Sequence, residues 1–321
     1  MPVIGISVIS FSDRTSLMAQ PSFFIVGAPK CGTTALCKYL AQHPEVFIST
    51  PKELYYFDTD FKTKKSADSL PAYLEKFTEG EGKICGEGST SYLYSKAAAE
   101  NIHRFNPNAK IIIMLRNPVT VMQSFHSQLL FNGSSETIQD FAEAIALEPE
   151  RKQGKHIPHR CIVPEMLLYR EVVSFSAQVK RYLELFGKEQ VKVIVFDDFK
   201  KDTPTAYKEV LEFIGADPTF TTSFVRINAN KKARSPFLQT LLKYPPAKVL
   251  EMGKYLLPIP RTWRRYLLES VKTSLKQLNT QKGARPPIST QLRQQLTTEF
   301  TPEVKKLEEI IGQDLQAWYQ G

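Results

Sequence analysis

The chain has 321 residues, of which 42% are hydrophobic, and its 42 basic and 33 acidic residues give a formal net charge of +9. This length and apolar content suit a soluble protein with a sizeable core, built as one large domain or two ordinary ones. No apolar run approaches the roughly 20 residues of a membrane span, which excludes a membrane-spanning helix.

The first segment of the chain is expected to lie outside the fold. Met1–Phe11 is apolar but short and lacks a basic start, so a signal peptide is not expected. We predict that residues 1–17 form a loose N-terminal extension, with Met18 as the alternative natural start.

The first candidate site lies where a strand turns into a helix. The apolar run Phe23–Val26 is followed by residues 27–34, here called the anion loop, and a helix-like run extends from Thr33 to Gln42. The turn and the first helical turn leave backbone N–H groups without partners, and the helix dipole adds positive potential. Phosphate or sulfate is therefore the expected occupant.

The side chains of the anion loop fit such an occupant. Gly27 and Gly32 allow a bend and a close approach, Lys30 adds a mobile positive charge, and Thr33 and Thr34 add hydroxyl donors. The nucleotide-hydrolase loop G-x-x-x-x-G-K-[ST] has its lysine after the second glycine, whereas Lys30 precedes Gly32 by two residues. A tight turn without a ligand is the alternative interpretation.

Four short apolar runs predict the other strands of one sheet. They are Val46–Ile48, Lys83–Cys85, Lys110–Leu115 and Val191–Phe196, and helical stretches separate them. Continuous apolar character is typical of buried parallel strands. The alternation of strands and helices indicates an α/β layer fold, with ligands at the carboxyl ends of the strands.

A second candidate site follows the run Lys110–Leu115. Arg116 stands at the strand end, Asn117 suits a helix N-cap, and a helix is predicted from Pro118 to about Phe131. Arg116 and Ser124 on this helix can face one anion, because guanidinium offers a planar fork and serine a hydroxyl. An arginine that caps the sheet edge is equally compatible with the pattern.

The four cysteines indicate the redox state of the cellular compartment. Cys31, Cys37, Cys85 and Cys161 show no metal-ligand spacing, and three lie in segments predicted as core or site loop. This usage suits a reducing compartment. The position of Cys31 in the anion loop could lower the pKa of its thiol. The favoured role of Cys31 is nevertheless that of a small residue that fills the loop, and not that of a nucleophile.

The charge is concentrated in one part of the chain. Residues 230–285, here called the basic region, carry thirteen Lys or Arg against two Asp or Glu, a net +11 that also includes many leucines and aromatics. Such a region can cover an anionic ligand, touch an anionic membrane or bind nucleic acid. A helix pair with a solvated basic face is the default, and we favour a lid over an anionic ligand.

Four motifs in order along the chain resemble the sulfotransferases that use 3′-phosphoadenosine 5′-phosphosulfate (PAPS). They are the anion loop, Pro51–Asp58, Gly86–Leu93, and Arg116 with Ser124 eight residues later. The tail from Pro286 through Trp318 resembles that of bacterial members. The resemblance implies a three-layer α/β fold with a central parallel sheet, P-loop-like, as a single domain over 18–321 with the basic region as a helical lid.

The resemblance also implies how the donor is held. The 5′-phosphosulfate would lie on Ala28, Pro29, Lys30, Cys31, Gly32, Thr33 and Thr34. Arg116 and Ser124 would hold the 3′-phosphate, and Lys231, Lys232 and Arg234 stand where basic residues of the family reach it. The product would be 3′-phosphoadenosine 5′-phosphate (PAP), and no metal is required.

The general base of the reaction has three candidates. Glu53 matches the glutamate of the family's Pro-Lys-Glu segment, but Tyr55 stands where some carbohydrate-acting members have histidine. His126 is the alternative base, although a structural histidine is somewhat better supported. Glu87 is the third, with Gly88 in place of the lysine that often follows it in the family.

The acceptor substrate and the cellular setting follow less directly from the sequence. Sugars, lipid head groups, acyl chains and small alcohols all fit as acceptors, and the chain is expected to be bacterial and cytoplasmic, with peripheral membrane contact as an option. Two alternatives of another kind are a Mg²⁺-ATP-dependent P-loop kinase, which the lysine position disfavours, and a nucleic-acid-binding protein, for which no module is visible. Oligomeric state is not encoded in any pattern here.

Overall fold

A computed structural model describes residues 19–62, 65–133, 135–225, 231–235 and 287–319, with short pieces at 238, 241, 270–271, 274–275 and 278–282. The expected N-terminal extension and most of the basic region lie outside the described residues. Within the described part of the chain, no helix is long and apolar enough to cross a membrane.

A five-stranded, all-parallel sheet forms the centre of the fold, in the order β2-β3-β1-β4-β5. The strands are β1 Pro21–Gly27, β2 Val46–Ile48, β3 Ile84–Glu87, β4 Lys110–Leu115 and β5 Val191–Val195. Strands β1 and β4 are almost wholly buried, as their continuous apolar sequences require. The predicted α/β class and parallel sheet are confirmed.

The chain divides into two compact units, and the first contains the sheet. It comprises the described residues up to Asn117 together with 174–225 and 302–316. Its helices are α1 Thr33–Leu40, α2 Leu70–Leu74, α3 Ala98–Phe105, α8 Phe175–Phe186, α9 Phe196–Lys201 and α10 Thr203–Ile214. Helix α1 begins at Thr33, within the last two residues of the anion loop, where the sequence predicts its start.

The second unit comprises 118–173 and the described parts of 226–301 and 317–321. It holds helices α4 Pro118–Asn132, α5 Phe141–Ala146, α6 Glu148–Lys152 and α7 Tyr169–Val172, and a two-stranded antiparallel sheet of β6 Lys231–Ala233 and β7 Thr280–Lys282. Helix α11 Thr290–Ile311 runs through the boundary between the two residue sets.

A buried ion pair organises the second unit. Arg151 donates from two nitrogens to the two carboxylate oxygens of Glu136, each at 2.8 Å, and both side chains are fully buried. The hydroxyl of Tyr169 donates to Glu136 at 2.6 Å, and the backbone N–H groups of Thr137 and Ile138 donate as well. Five donors therefore compensate the desolvation of one carboxylate.

The end of β5 differs from the sequence prediction for a local reason. Phe196 does not end β5 but opens helix α9, because Asp197 and Asp198 follow it in the first helical turn, where negative charge stabilises a helix. In the small antiparallel sheet, Lys282 of β7 pairs with Lys231 of β6. Residues 283–286, which follow β7, lie outside the described residues.

Candidate active site

The predicted motifs all follow the carboxyl ends of the parallel strands. The anion loop begins at the last residue of β1, Arg116 directly follows β4, and Phe196 follows β5. The segment 51–58 comes after β2, and the segment 88–91 comes after β3. Because parallel strands end at one edge of the sheet, these segments share the edge at which α/β proteins bind ligands.

The backbone of the anion loop is shaped for close approach of a ligand. Gly32 has φ +94°, a left-handed conformation that glycine adopts without strain, and Lys30 has φ +66°. The N–H of Ala28 donates to Met114 O on β4 at 2.7 Å, which fixes the start of the loop. The first helical bonds run from Ala35 and Leu36 to Gly32 O, so the N–H groups of residues 32–34 precede the helical ladder.

One aromatic ring joins the anion loop to Arg116. A Cβ atom on Gly32 would lie 2.8 Å from the ring of Phe196, and the guanidinium of Arg116 lies over the same ring, 4.6 Å from its centroid. Both candidate anion-binding elements of the first unit therefore border Phe196. Phe196 was not singled out as a site residue in the sequence. There it was only the last residue of an apolar run that was predicted to form a strand.

The thiol in the loop does not behave as the sequence suggested. Cys31 is fully buried, and burial raises the pKa of its thiol well above the usual range, although Arg116 and Lys30 act in the opposite direction. The lowered pKa that the sequence left open is not found, because desolvation outweighs the nearby cations, and burial fits the favoured role of a small loop filler. Its N–H makes a long bond of 3.4 Å to Ala28 O, so Cys31 closes the turn.

Ser124 is a buried residue of α4, and the hydrogen bonding of its hydroxyl is unusual. It is 1% exposed, and its Oγ atom is one of three buried side-chain polar atoms without a hydrogen-bond partner among the described residues. A buried hydroxyl without a partner costs free energy unless a ligand supplies one. The orphaned Oγ therefore fits the predicted contact with a phosphate oxygen.

The basic residues after the last core strand lie near the helix of Ser124. Strand β6, which carries Lys231 and Lys232, packs against α4 in the second unit. Arg234 is exposed, and its N–H donates to Asn279 O at 2.8 Å. The backbone thus runs beside the helix that holds Ser124, and the phosphate contact of these three residues stays a prediction.

Glu53 lies in a group of polar side chains. Its Oε1 atom accepts from Lys52 Nζ at 3.0 Å and from Thr90 Oγ1 at 3.2 Å, and its Oε2 atom accepts from the hydroxyl of Tyr55. The Glu53 side chain is 32% exposed. The ion pair with Lys52, weighed in the sequence against a role as base, is present together with two further donors.

Glu53 is also close to the anion loop and to helix α1. The carbonyl oxygen of Thr90 lies 3.3 Å from the position of a Cβ on Gly27, the first residue of the loop. The charges of Lys52 and Glu53 act on the pKa of the Cys37 thiol, and Cys37 lies one turn beyond Thr33 on α1. The structure therefore brings Glu53 beside the helix whose N-terminus forms the anion site.

Lys52 occupies the space above Gly88. A Cβ on Gly88 would lie 2.8 Å from Cys37 Sγ and 3.2 Å from Lys52 Cε, and Lys52 Nζ donates to Gly88 O at 2.8 Å. A lysine is thus present near this position although residue 88 is glycine. Lys52 was not considered as a functional residue from sequence, because only the fold brings segments 51–58 and 88–91 together.

Glu87 is a structural carboxylate rather than an accessible base. It is fully buried, and its oxygens accept from the hydroxyls of Ser89, Tyr73 and Tyr92 at 2.6 to 2.7 Å. Burial raises its pKa to about 7, although these hydrogen bonds favour the ionised form. Ser89 and Tyr92 in turn accept from the N–H groups of residues 54–57, so Glu87 anchors the segment that carries Glu53.

His126 is packed inside the second unit. It is 3% exposed, its Nε2 atom donates to Ile138 O at 2.9 Å, and its ring packs on Tyr169 and Phe141. Burial lowers its pKa. These contacts are those of a structural histidine, which the sequence already favoured over a base at this position.

Metal ligation was tested on the same residues. Among the residues that the structure describes, no group of three or more His, Cys, Asp or Glu is placed to hold a metal ion. The four cysteines are free thiols, of which Cys31, Cys37 and Cys85 are buried.

A parallel α/β sheet with an anion loop after β1 and an arginine after β4 defines a phosphate- or phosphosulfate-binding enzyme class. The family model described as "Sulfotransferase domain" matches residues 20–232, and the chain therefore belongs to the sulfotransferase family. The structure of a sulfotransferase from Alicyclobacillus acidocaldarius is similar over 94% of this chain and 99% of that chain, with 29% identity and a TM-score of 0.67.

Curated relatives share the same class. Bifunctional heparan sulfate N-deacetylase/N-sulfotransferase 4 of Mus musculus is 24% identical over 311 residues, which cover 93% of this chain and 31% of that protein. Carbohydrate sulfotransferase 15 of Mus musculus is 26% identical over 253 residues, 63% of this chain and 45% of that protein. The chain spans less than half the length of these relatives. The kinase alternative has no support among them.

Proposed function

We propose that this protein transfers a sulfuryl group from PAPS to a hydroxyl or amine of an acceptor, with a carbohydrate as the first class to test. The observation that carries the proposal is the pair of candidate anion-binding elements, the loop with Gly32 and the side chain of Arg116, which both border the ring of Phe196. A bisphosphorylated nucleotide needs two such elements, and the partnerless hydroxyl of Ser124 supports a further phosphate contact.

The chemistry of transfer assigns a task to each group. The bond between sulfur and the bridging phosphate oxygen breaks, its electron pair stays with PAP, and a new bond forms between sulfur and the acceptor atom. Lys30 neutralises charge that grows on the bridging oxygen, and the N–H groups of residues 32–34 hold the non-reacting oxygens. Glu53 takes the acceptor proton. No step requires a metal ion.

Both the acceptor class and the setting remain part of the proposal. The relatives named for heparan sulfate and carbohydrate sulfotransfer favour a glycan hydroxyl or amine, while lipid, acyl and small-alcohol acceptors belong in the same screen. Free thiols suit a reducing, cytoplasmic compartment of a bacterium. The domain limits 18–321 and a lid over 230–285 belong to the proposal as well.

Thermal unfolding with PAP tests the donor. Because a ligand that binds the native state raises the midpoint, PAP is expected to raise it and ATP with Mg²⁺ is not. Arg116→Ala should abolish the rise. Arg104→Ala is the matched control, since Arg104 is an exposed arginine paired with Glu100. A rise with ATP and Mg²⁺ alone would refute the proposal.

Radiolabelled PAPS then tests transfer. The acceptors are N-desulfated heparan chains, a chondroitin-type glycan and a long-chain alcohol, so that amine, sugar hydroxyl and alkyl hydroxyl are separated. Lys30→Ala should lose nearly all transfer. Glu53→Gln should keep the PAP-induced rise in midpoint but lose turnover, and wild-type rates in this variant would remove Glu53 from the role of base.

A further inference from the structure

Tyr55 is the side chain that bonds to the outer oxygen of Glu53. Two donors, Lys52 and Thr90, occupy Oε1, whereas among the described residues Tyr55 alone donates to Oε2. A carboxylate oxygen accepts two hydrogen bonds. Oε2 therefore keeps one lone pair, and the Tyr55 hydroxyl determines the direction in which that lone pair points.

The backbone at Tyr55 is held in an unfavourable conformation. Tyr55 has φ +53°, a left-handed value that is uncommon and strained for a bulky residue. Its N–H and that of Leu54 both donate to Ser89 Oγ, at 3.2 and 3.0 Å, and Ser89 donates to the buried Glu87. The anchored backbone turns the ring back towards Glu53.

The hydroxyl of Tyr55 is a permanent donor. Burial raises its pKa well above the usual range, and the negative charge of Glu53 and the hydrogen bond to it add to the effect. Lys52 and Asp58 are the other charged groups nearby, the first bonded to Glu53 and the second acting on Tyr55. The Tyr55 hydroxyl therefore stays protonated at neutral pH and keeps its hydrogen bond to Glu53.

We propose that Tyr55 is the positioning residue of the base: its hydroxyl holds the Glu53 carboxylate so that the free lone pair of Oε2 accepts the acceptor proton. This inference rests on the proposed function. As the bond from sulfur to the acceptor atom forms, the acceptor proton passes to Oε2, and the electron pair of the broken bond stays with PAP. Tyr55 loses no proton in this step.

The test measures the rate of PAP release from PAPS for the wild type, for two variants of Tyr55 and for one control variant. The acceptor is N-desulfated heparan, and water alone serves as acceptor in a parallel series. Tyr55→Phe should lower kcat by about 10- to 100-fold, the loss of one hydrogen bond to a charged group, with KM for PAPS changed less than about threefold. Tyr55→His restores a donor and should recover part of kcat.

A matched control separates the hydroxyl from the ring. Tyr56, the next residue, stacks its ring on Tyr73, and no hydrogen bond of its hydroxyl to Glu53 is present. Tyr56→Phe should therefore keep kcat within about twofold. If Tyr55 only filled space, Tyr55→Phe would match the wild type and Tyr55→His would be the poorer enzyme, which would overturn the inference.

A second measurement does not depend on turnover. In thermal unfolding, the midpoint loss from Tyr55→Phe should be at least halved when Glu53→Ala is already present, because the partner is gone. Additive losses would overturn the inference while leaving the proposed function intact. A wild-type protein that neither gains stability from PAP nor releases PAP from PAPS would refute the proposed function itself, and this role with it.

Discussion

The ring of Phe196 lies against the guanidinium of Arg116, 4.6 Å from ring centroid to guanidinium carbon, and the edge of the same ring faces Gly32. A phenylalanine that opens helix α9 thus contacts both candidate anion-binding elements of the first unit. Contact between an aromatic face and a cation contributes roughly 0.5–2 kcal/mol and orients the guanidinium plane. Phe196 is therefore expected to matter for donor binding more than for folding.

The first prediction concerns Phe196→Ala. Loss of the ring should weaken PAP binding about 5- to 20-fold, the equivalent of about 1–2 kcal/mol, because Arg116 loses its support. Isothermal titration with PAP measures the change. Phe199→Ala is the control, since Phe199 is buried in the same helix and stacks on Tyr39. That variant should lose stability but keep PAP affinity, and equal affinity losses in both would contradict the prediction.

The second prediction concerns Gly32→Ala. A Cβ at φ +94° is strained by about 1–3 kcal/mol and would also lie 2.8 Å from the Phe196 ring, so both stability and PAP binding should fall. Gly215→Ala is the matched control, since Gly215 has φ +81° but nothing within 4 Å of its Cβ position. It should cost stability alone in chemical denaturation, and a Gly32→Ala protein with normal PAP affinity would contradict the assigned site.

The third prediction gives Ser124→Ala opposite effects on stability and binding. Removing a buried hydroxyl without a partner should leave the free protein unchanged or more stable by up to about 1 kcal/mol. PAP affinity should fall about 5- to 10-fold, because one phosphate hydrogen bond is lost. Urea unfolding and PAP titration measure the two effects.

Ser127→Ala provides the comparison for this pair of measurements. Ser127 lies on the same helix, and its hydroxyl donates to Gln123 O at 2.9 Å. Its loss should leave PAP affinity unchanged. A Ser124→Ala protein that is clearly destabilised in the absence of PAP would mean that the hydroxyl has a role within the fold itself.

The fourth prediction is a pH dependence of stability that arises from Glu87. Burial raises its pKa from 4.5 to about 7, so between these values the native state binds more protons than the unfolded state. The free energy of unfolding should therefore fall as pH rises through this window, by on the order of 3 kcal/mol in total, and level off above about pH 7. Glu87→Gln should remove this slope.

A second buried carboxylate serves as the control with the opposite sign. Burial would raise the pKa of Glu136, but hydrogen bonds from Arg151 and Tyr169 outweigh it and lower the pKa. The stability from Glu136 is thus present above its ordinary pKa and lost as pH falls below it. Between pH 5 and 8, Glu136→Gln should keep the Glu87 slope, and a wild-type slope in Glu87→Gln would contradict the assignment.

Local sequence patterns predicted the strands and helices well because the formation of these elements depends on neighbouring residues. The continuous apolar runs predicted strands β1 to β5 within about two residues, since a strand buried on both faces needs apolar side chains throughout. Asn117 followed by Pro118 correctly marked the start of α4. The sequence also predicted a bend at Gly32, which has φ +94° in the structure.

Contacts between distant segments could not be read in this way. The sequence left open a lowered pKa of Cys31, but the structure raises it, because the degree of burial, which depends on the packed sheet and α9, decides between desolvation and charge. The position of Lys52 over Gly88 and the bond from Thr90 to Glu53 join residues 36 and 37 positions apart. No pattern within either segment indicates the other.

The sequence by itself determined the fold class, because the apolar runs of the strands and their spacing are short-range features. The resemblance of four short motifs pointed to the sulfotransferase family, which the family model confirms. Tertiary structure alone decided the state of the candidate bases. It buries Glu87 under three hydroxyls, packs His126 against Ile138, and leaves Glu53 partly exposed with Tyr55 as its donor. Protonation and accessibility depend on which groups the sheet brings together, and those groups come from separate parts of the chain.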